Sequence, residues 1–208
     1  MSNLNFLHSG GNKVILSAPA SNPSSDVTLK LPSVTGINRQ VLSVDGSGNL
    51  KFIYPAGYGH FLAYLGSAQT VTNNTEETIE FNQVEGGFGQ GNAANWFNSS
   101  TYKFTPTVTG YYVMYVNCFW NATSDNRAIK HRARIRKNGS AYIADNYAGV
   151  DDVYGAFAHN ATCISYFNGS SDYAEFRASA HHDNGSNAVL EGGNNQYTYG
   201  YGYLLEAA

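Results

Sequence analysis

Leu, Lys and Glu, which favour helices, are sparse in this sequence, and charged residues make up only 13% of its 208 positions, so helix content should be close to nil. No apolar run approaches the ~18 residues that span a bilayer as a helix, and the start, MSNLNFLHSGG, carries no basic n-region. Neither export nor membrane insertion is expected, and synthesis in a cytoplasm is. Cysteine is nearly missing: Cys118 and Cys163 each sit inside an apolar strand pattern and read as reduced, buried thiols. Excess charge of one sign is also missing, since a formal −3 exerts no global pull on nucleic acid or anionic lipid. Gly-x-Ser-x-Gly, His-Glu-x-x-His and Cys-x-x-Cys do not occur, and Gly86-Gly-Phe-Gly-Gln-Gly91 leads into an Asn-rich stretch, not a phosphate-holding helix. No catalytic residue, cofactor or nucleic-acid partner is therefore assigned.

What is abundant is Gly (22), Tyr (16) and Phe (11), the composition of aromatic strands joined by tight turns. The length allows one full-sized domain and an appendage. Residues 1–57 alternate short apolar runs (Val14, Ile15 and Leu16; Val27, Leu29 and Leu31; Val41 to Val44; Leu50 to Tyr54) with Gly, Pro and Ser punctuation. Such a segment holds too little apolar surface to offset ordering costs of ~1–2 kcal/mol per residue, and reads as an attachment arm that packs on something else. Residues 58–208 read as the knob, with about eight to ten strands.

Within the knob, the run Tyr111 to Trp120 carries the most information. Tyr111, Val113, Tyr115, Asn117 and Phe119 share one face and Tyr112, Met114, Val116, Cys118 and Trp120 the other, and both faces are apolar. One face needs a second layer, which another copy of the chain would supply. Near the end, Tyr197, Tyr199, Tyr201 and Tyr203 also line one face. Asn138-Gly139 predicts a type I′ hairpin placing Ile135 opposite Tyr142, and Asn168 to Asp172 reads as a longer hairpin loop.

Lys130, Arg132, Arg134 and Arg136 share a strand face and form a basic ladder, suited either to acidic glycans or to pairing with Asp145, Asp151, Asp152 or Glu175. Trp96 and Tyr147, beside Asn-rich segments, suit stacking on sugar faces. Asp151, Asp152, Glu175, Asp183 and Glu191 are glycosidase carboxylates by type only. His181-His182-Asp183 offers at most one imidazole per subunit, because neighbours on an extended chain point opposite ways, and no metal site is assigned.

Phe61-Leu-Ala, Phe81, Asn98-Ser-Ser-Thr-Tyr-Lys-Phe104, Pro106, Gly110, Tyr112, Tyr115, Asn138-Gly139 and Tyr199-Gly-Tyr-Gly-Tyr-Leu-Leu205 occur in an order that resembles the globular-head family of complement C1q, a branch of the tumour-necrosis-factor-like jelly rolls. The resemblance spans roughly residues 60–206 and departs at Thr101, where glycine is usual, and in lacking a collagen stalk. It implies an all-β antiparallel jelly-roll sandwich forming a homotrimer, with Tyr111, Val113, Tyr115, Phe119, Tyr197, Tyr199, Tyr201 and Tyr203 at the threefold interface. Val27-Thr-Leu-Lys-Leu-Pro-Ser and Gln40 to Phe52 look like segments of fibre and appendage proteins from tailed phages, particularly marine ones. Together these imply a virion structural protein, assembled in the host cytoplasm. Val14, Ile15, Leu16, Val27, Leu29 and Leu31 would dock it to other virion proteins, and Arg132, Arg134, Arg136, Trp96 and Tyr147 would meet host surface glycan. A purely architectural decoration is the alternative, followed by a glycan-degrading enzyme and a free lectin.

Overall fold

The computed structural model describes residues 4–7, 9–11, 13–16, 28–37, 40–45, 47–56, 58–85, 95–122, 128–149, 155–193 and 197–208. The chain divides into two compact units, Met1–Ile53 and Tyr54–Ala208. Every described element is a strand or an isolated bridge, and among the described residues no helix is long and apolar enough to cross a membrane.

The first unit holds two small hairpins. β1 (Leu4–Leu7) pairs antiparallel with β2 (Lys13–Leu16), and β3 (Val41–Val44) pairs with β4 (Leu50–Ile53). The turn between β3 and β4 is built by Asp45, whose Oδ1 accepts the N–H groups of Ser47 and Asn49 at 2.9 Å while its Oδ2 accepts Nδ2 of Asn49 at 2.9 Å. These hydrogen bonds hold the Asp45 carboxyl below its ordinary range. Gly48, at φ +80°, completes the reversal.

The second unit is a two-sheet sandwich of thirteen described strands, ten of them with three residues or more: β5 (Phe61–Tyr64), β6 (Gln69–Val71), β7 (Glu76–Thr78), β8 (Gln83–Val84), β9 (Phe97–Asn98), β10 (Lys103–Phe104), β11 (Thr109–Ala122), β12 (Ala128–Lys137), β13 (Ala141–Gly149), β14 (Gly155–Asn168), β15 (Ala174–His182), β16 (Ala188–Leu190) and β17 (Tyr199–Ala207). One sheet runs β13-β12-β15-β10-β9, with β7 also on β15; the other runs β6-β16-β11-β17-β5-β8, with β14 on the free edge of β11. All pairings are antiparallel.

Strand alternation decides what lies between the sheets. From β11 come Tyr112, Met114, Val116, Cys118 and Trp120, and from the opposite sheet Ala133, Ile135, Ala174, Phe176, Ala178 and Ala180, all buried. The alanines leave room for rings: Phe61 stacks on Phe97 and Phe104 at 4.9 Å each and reaches Phe176 at 5.8 Å. In Tyr199-Gly-Tyr-Gly-Tyr203 the glycines face inward, because a Cβ on Gly202 would lie 2.8 Å from the Phe61 ring and one on Gly200 2.8 Å from that of Phe81. The tyrosines consequently face out.

Two local expectations are corrected. Asn138 and Gly139 both adopt positive φ, 52° and 72°, but Ile135 lies opposite Ala144 and Tyr142 opposite Arg136, with a register shift between Ile135 and Arg136. Asn138 is pulled toward another loop, its N–H donating to Tyr173 O and its Oδ1 accepting Tyr173 N–H. Residues 168–172 are not a hairpin loop either: β14 pairs with β11 and β15 with β12, so this segment crosses between sheets. Asp172 organises the crossing by accepting the Asn168 N–H, Asn138 Nδ2 and Lys137 Nζ. Burial works to raise its carboxyl, but these hydrogen bonds and the lysine charge hold it below the ordinary range.

Candidate functional site

The outer side of the β11 sheet is an aromatic surface. Register sets Tyr201 beside Tyr115, Tyr203 beside Val113 and Tyr199 beside Asn117 on one flank, with Tyr166 beside Tyr111 and Ile164 beside Val113 on the other. The rings stack on one another: Tyr115 on Tyr201 at 4.9 Å and on Tyr199 at 5.7 Å, Phe119 on Tyr197 at 4.9 Å. Burial, with a hydrogen bond to Tyr199, pushes the Tyr115 phenol up to about 12, so it stays neutral across the working range. Solvent still reaches this surface, Tyr111 being 47%, Ile164 63% and Tyr166 42% exposed. All eight residues assigned to an interface from sequence are brought to this face or its rim. Ile164 and Tyr166 join this face because β14 pairs with β11, which a hairpin around Asn168 to Asp172 does not predict.

The outer side of the other sheet is polar and mostly cationic. On β7, β10, β12, β13 and β15 the cations Lys103, Lys130, Arg132, Arg134, Arg136 and Arg177 share that side with three carboxylates, Glu76, Asp145 and Glu175. Glu76 is the hub: Arg134 donates to Oε2, Arg177 and Arg136 approach Oε1 at 3.3 and 3.5 Å, and the Tyr142 hydroxyl lies 3.1 Å from Oε2. Burial alone would raise its carboxyl, but Arg134, Tyr142 and Arg177 hold it below the ordinary range. Arg134 also pairs with Asp145 at 3.0 Å, and Lys103 with Glu175 at 3.8 Å. Arg134 and Arg136 are therefore engaged internally. Arg132 has no such partner among the described residues, and stands over the Tyr147 ring at 5.2 Å, with Tyr147 48% exposed.

Trp96 corrects an expectation. It is 5% exposed, its Nε1 donates to Thr107 Oγ1 at 2.9 Å, and its ring meets Tyr58, Phe104 and Tyr112 edge-on. Gly59, at φ +65°, makes room, since a Cβ there would fall inside the indole. The ring is a core side chain and is not available to stack on sugar.

Histidine clustering was missed entirely. His131 and His182 are buried with their Nε2 atoms 3.2 Å apart, and His131 packs on Trp120 and Phe157 at 4.6 Å and near His159 at 6.4 Å. Burial, helped by the neighbouring imidazoles, pushes His131 down to about 3, and burial lowers His159 and His182 as well. These folded-state values lie below those of the unfolded chain, so the unfolded chain takes up protons first and stability falls as pH drops from about 6.5 toward 3, by about 1.4 kcal/mol per pH unit for each group inside its window. The melting temperature at pH 4.5 should accordingly lie well below that at pH 7.5, and His131→Phe should flatten the slope; an identical slope in the variant would show that other groups govern it. Among the described residues no group of three or more His, Cys, Asp or Glu is arranged to hold a metal ion. Cys118 is buried, Cys163 half-buried, both are free thiols, and burial raises both, Cys163 to about 11. Of the acids singled out by type, Glu175 is paired as above, Glu191 accepts Asn121 Nδ2, and Asp151 and Asp152 lie outside the described residues.

In the first unit, Val14, Ile15 and Leu16 belong to β2, opposite Phe6, Asn5 and Leu4. Leu29, Leu31, Val34, Ile37, Val41, Leu42 and Val44 are exposed, Leu31 to 82%. Val27 lies outside the described residues.

No protein-family model matches the sequence, and no curated protein matches it. Solved structures do match in three dimensions. The Eiger tumour necrosis factor of S. frugiperda superposes with a TM-score of 0.53 at 9% identity, over 72% of this chain and 95% of that one. The globular domain of a zebrafish complement 1qA protein gives 0.45 at 9% identity over 72% and 99%, and murine APRIL 0.43 at 10% over 70% and 99%. With the thirteen strands of the second unit antiparallel in two sheets, the chain carries the tumour-necrosis-factor type of jelly-roll fold.

Proposed function

We propose that this chain is a non-enzymatic virion structural protein: a homotrimeric jelly-roll knob that docks by its N-terminal arm and presents the cationic sheet outward to host surface glycan. The observation that carries this reading is the aromatic side of the β11 sheet. Monomers rarely leave so contiguous an apolar surface in water, and obligate interfaces, from ~2,000 Å² upward, resemble a core cut in half. Three copies meeting through Tyr115, Tyr201 and their neighbours would cover it and leave the opposite sheets facing out. That arrangement suits shallow, multivalent binding, in which three equivalent sites and many copies per particle raise avidity without a deep pocket. Two features support the arm's docking role: its apolar side chains Leu29, Leu31, Val34 and Ile37 are uncovered, and its Gln40 to Phe52 stretch resembles phage appendage segments.

Sedimentation of the full chain at micromolar concentration tests the assembly: a trimer is expected, and a well-folded monomer would remove the basis of the reading. The arm is tested separately by deleting residues 1–57, which is expected to leave the knob trimeric while abolishing its incorporation into particles. Normal incorporation would refute the docking role.

A further inference from the structure

The cationic sheet is not uniformly neutralised. Among the described residues its ion pairs concentrate around Glu76 and Glu175, and they stop at Arg134. Beyond that point Lys130 and Arg132 have no carboxylate partner among the described residues, and both lie on the outward side of β12, because His131 and Ala133 between and beside them are buried. Across the ladder, Lys130 faces His181 and Arg132 faces Ser179 on β15. The turn following β6 closes the end: Asn74, at φ 58°, donates its N–H to Ala180 O at 2.9 Å and accepts His181 Nδ1 on its Oδ1. These residues line a depression of about 150 Å³.

The donor set has a definite chemistry. Lys130 is a point charge, and Arg132 is a flat guanidinium oriented by Tyr147 beneath it. Ser179, opposite Arg132 on β15, adds a hydroxyl to the lining. In the neutral imidazole a proton on Nδ1 faces Asn74 Oδ1, which makes Nε2 an acceptor and Asn74 Nδ2 a donor. Two cations with a hydroxyl, an amide N–H and one imidazole acceptor match an anionic group attached to a polyhydroxylated ring. The volume is small against the ~300–1,000 Å³ of pockets that engulf whole small molecules, so it takes a substituent and not a whole oligosaccharide. A plain sulfate ion, which has no donor, would leave the acceptor nitrogen unused.

We propose that Lys130, Arg132, Ser179, His181 and Asn74 form a subsite for the sulfate or carboxylate group of an acidic surface polysaccharide. This rests on the reading of the knob as an outward-facing binding module, and it names the ligand class. Arg134 and Arg136, tied to Glu76, set the positive background and do not contact the ligand. Nearby Asp145 is held by Arg134 and does not compete.

The test uses the full-length chain and three immobilised polymers, dextran sulfate, polygalacturonate and neutral dextran. Salt-sensitive binding is expected to one or both acidic polymers, which separates sulfate from carboxylate, with none to dextran. K130Q/R132Q should weaken binding at least about tenfold, the order expected for losing charge-assisted hydrogen bonds. Lys103→Gln removes one positive charge on the same sheet outside the depression and should stay within about twofold. Should the double variant fold poorly by near-ultraviolet circular dichroism, Ser179→Asp places a carboxylate in the depression without removing a cation and should weaken binding to a similar degree. Unchanged binding in K130Q/R132Q or S179D, or an equal loss in K103Q, overturns the subsite while leaving the binding module standing. A full chain that binds none of the three polymers, although trimeric in sedimentation, overturns the subsite together with the glycan-binding part of the proposed function.

Discussion

Tyr115→Glu is expected to convert the proposed trimer into monomers at micromolar concentration. Tyr115 sits at the centre of the outer side of the β11 sheet, between the rings of Tyr199 and Tyr201. In a monomer the substituted carboxylate would face water and cost little. Between copies it would be an unpaired buried charge, costing about 3–5 kcal/mol per copy and incurred three times in one assembly. Sedimentation velocity reads the outcome directly, and far-ultraviolet circular dichroism should stay close to that of the parent because the core side of β11 is untouched. Tyr115→Phe keeps the ring and should keep the trimer. If Tyr115→Glu sediments as a trimer, the copies meet elsewhere.

A second large effect is expected in the core. Phe61→Ala removes a ring that stacks on Phe97 and Phe104, meets Phe176 and lies against Gly202. Emptying such a position costs about 3–5 kcal/mol, a large share of the ~5–15 kcal/mol by which a domain is usually stable. For a unit spanning Tyr54–Ala208 the melting temperature should fall by about 10 °C. The explanation by packing makes a sharper demand. Gly202→Ala alone should destabilise by about 1–3 kcal/mol, its Cβ being forced against the Phe61 ring. In the Phe61→Ala background that obstruction is gone, and the added methyl occupies part of the vacated volume. The two changes together should therefore cost less than their sum, by denaturant unfolding; simple additivity would mean that Gly202 is required for some other reason.

How much of this was legible beforehand differs from one residue to the next. The two faces of Tyr111 to Trp120 were readable because side chains alternate strictly along a strand, and the same rule put the tyrosines of Tyr199 to Tyr203 together. The Asn138-Gly139 reversal was readable because few residues tolerate positive φ. Its register was not, because Asn138 answers to Tyr173 and Asp172, which are distant in sequence. Trp96 was misplaced for a similar reason: an indole amid Asn and Ser looks exposed until Thr107 supplies its acceptor and Gly59 its space. Glu76 drew no notice, since nothing in Glu-Glu-Thr announces three guanidiniums brought from two other strands.

Composition and alternation by themselves determined that this protein is all-β, which side of each long strand is apolar, and where several turns fall, because these depend on residues within one or two positions of each other. Only the tertiary structure decided that residues 168–172 cross between sheets, that Arg134 and Arg136 are consumed by Glu76 while Lys130 and Arg132 meet no carboxylate among the described residues, and that His131 and His182 meet in the interior with His159 nearby. Those outcomes depend on which strands become neighbours, and strand pairing is settled by the burial of the whole sandwich, not by any local run of residues.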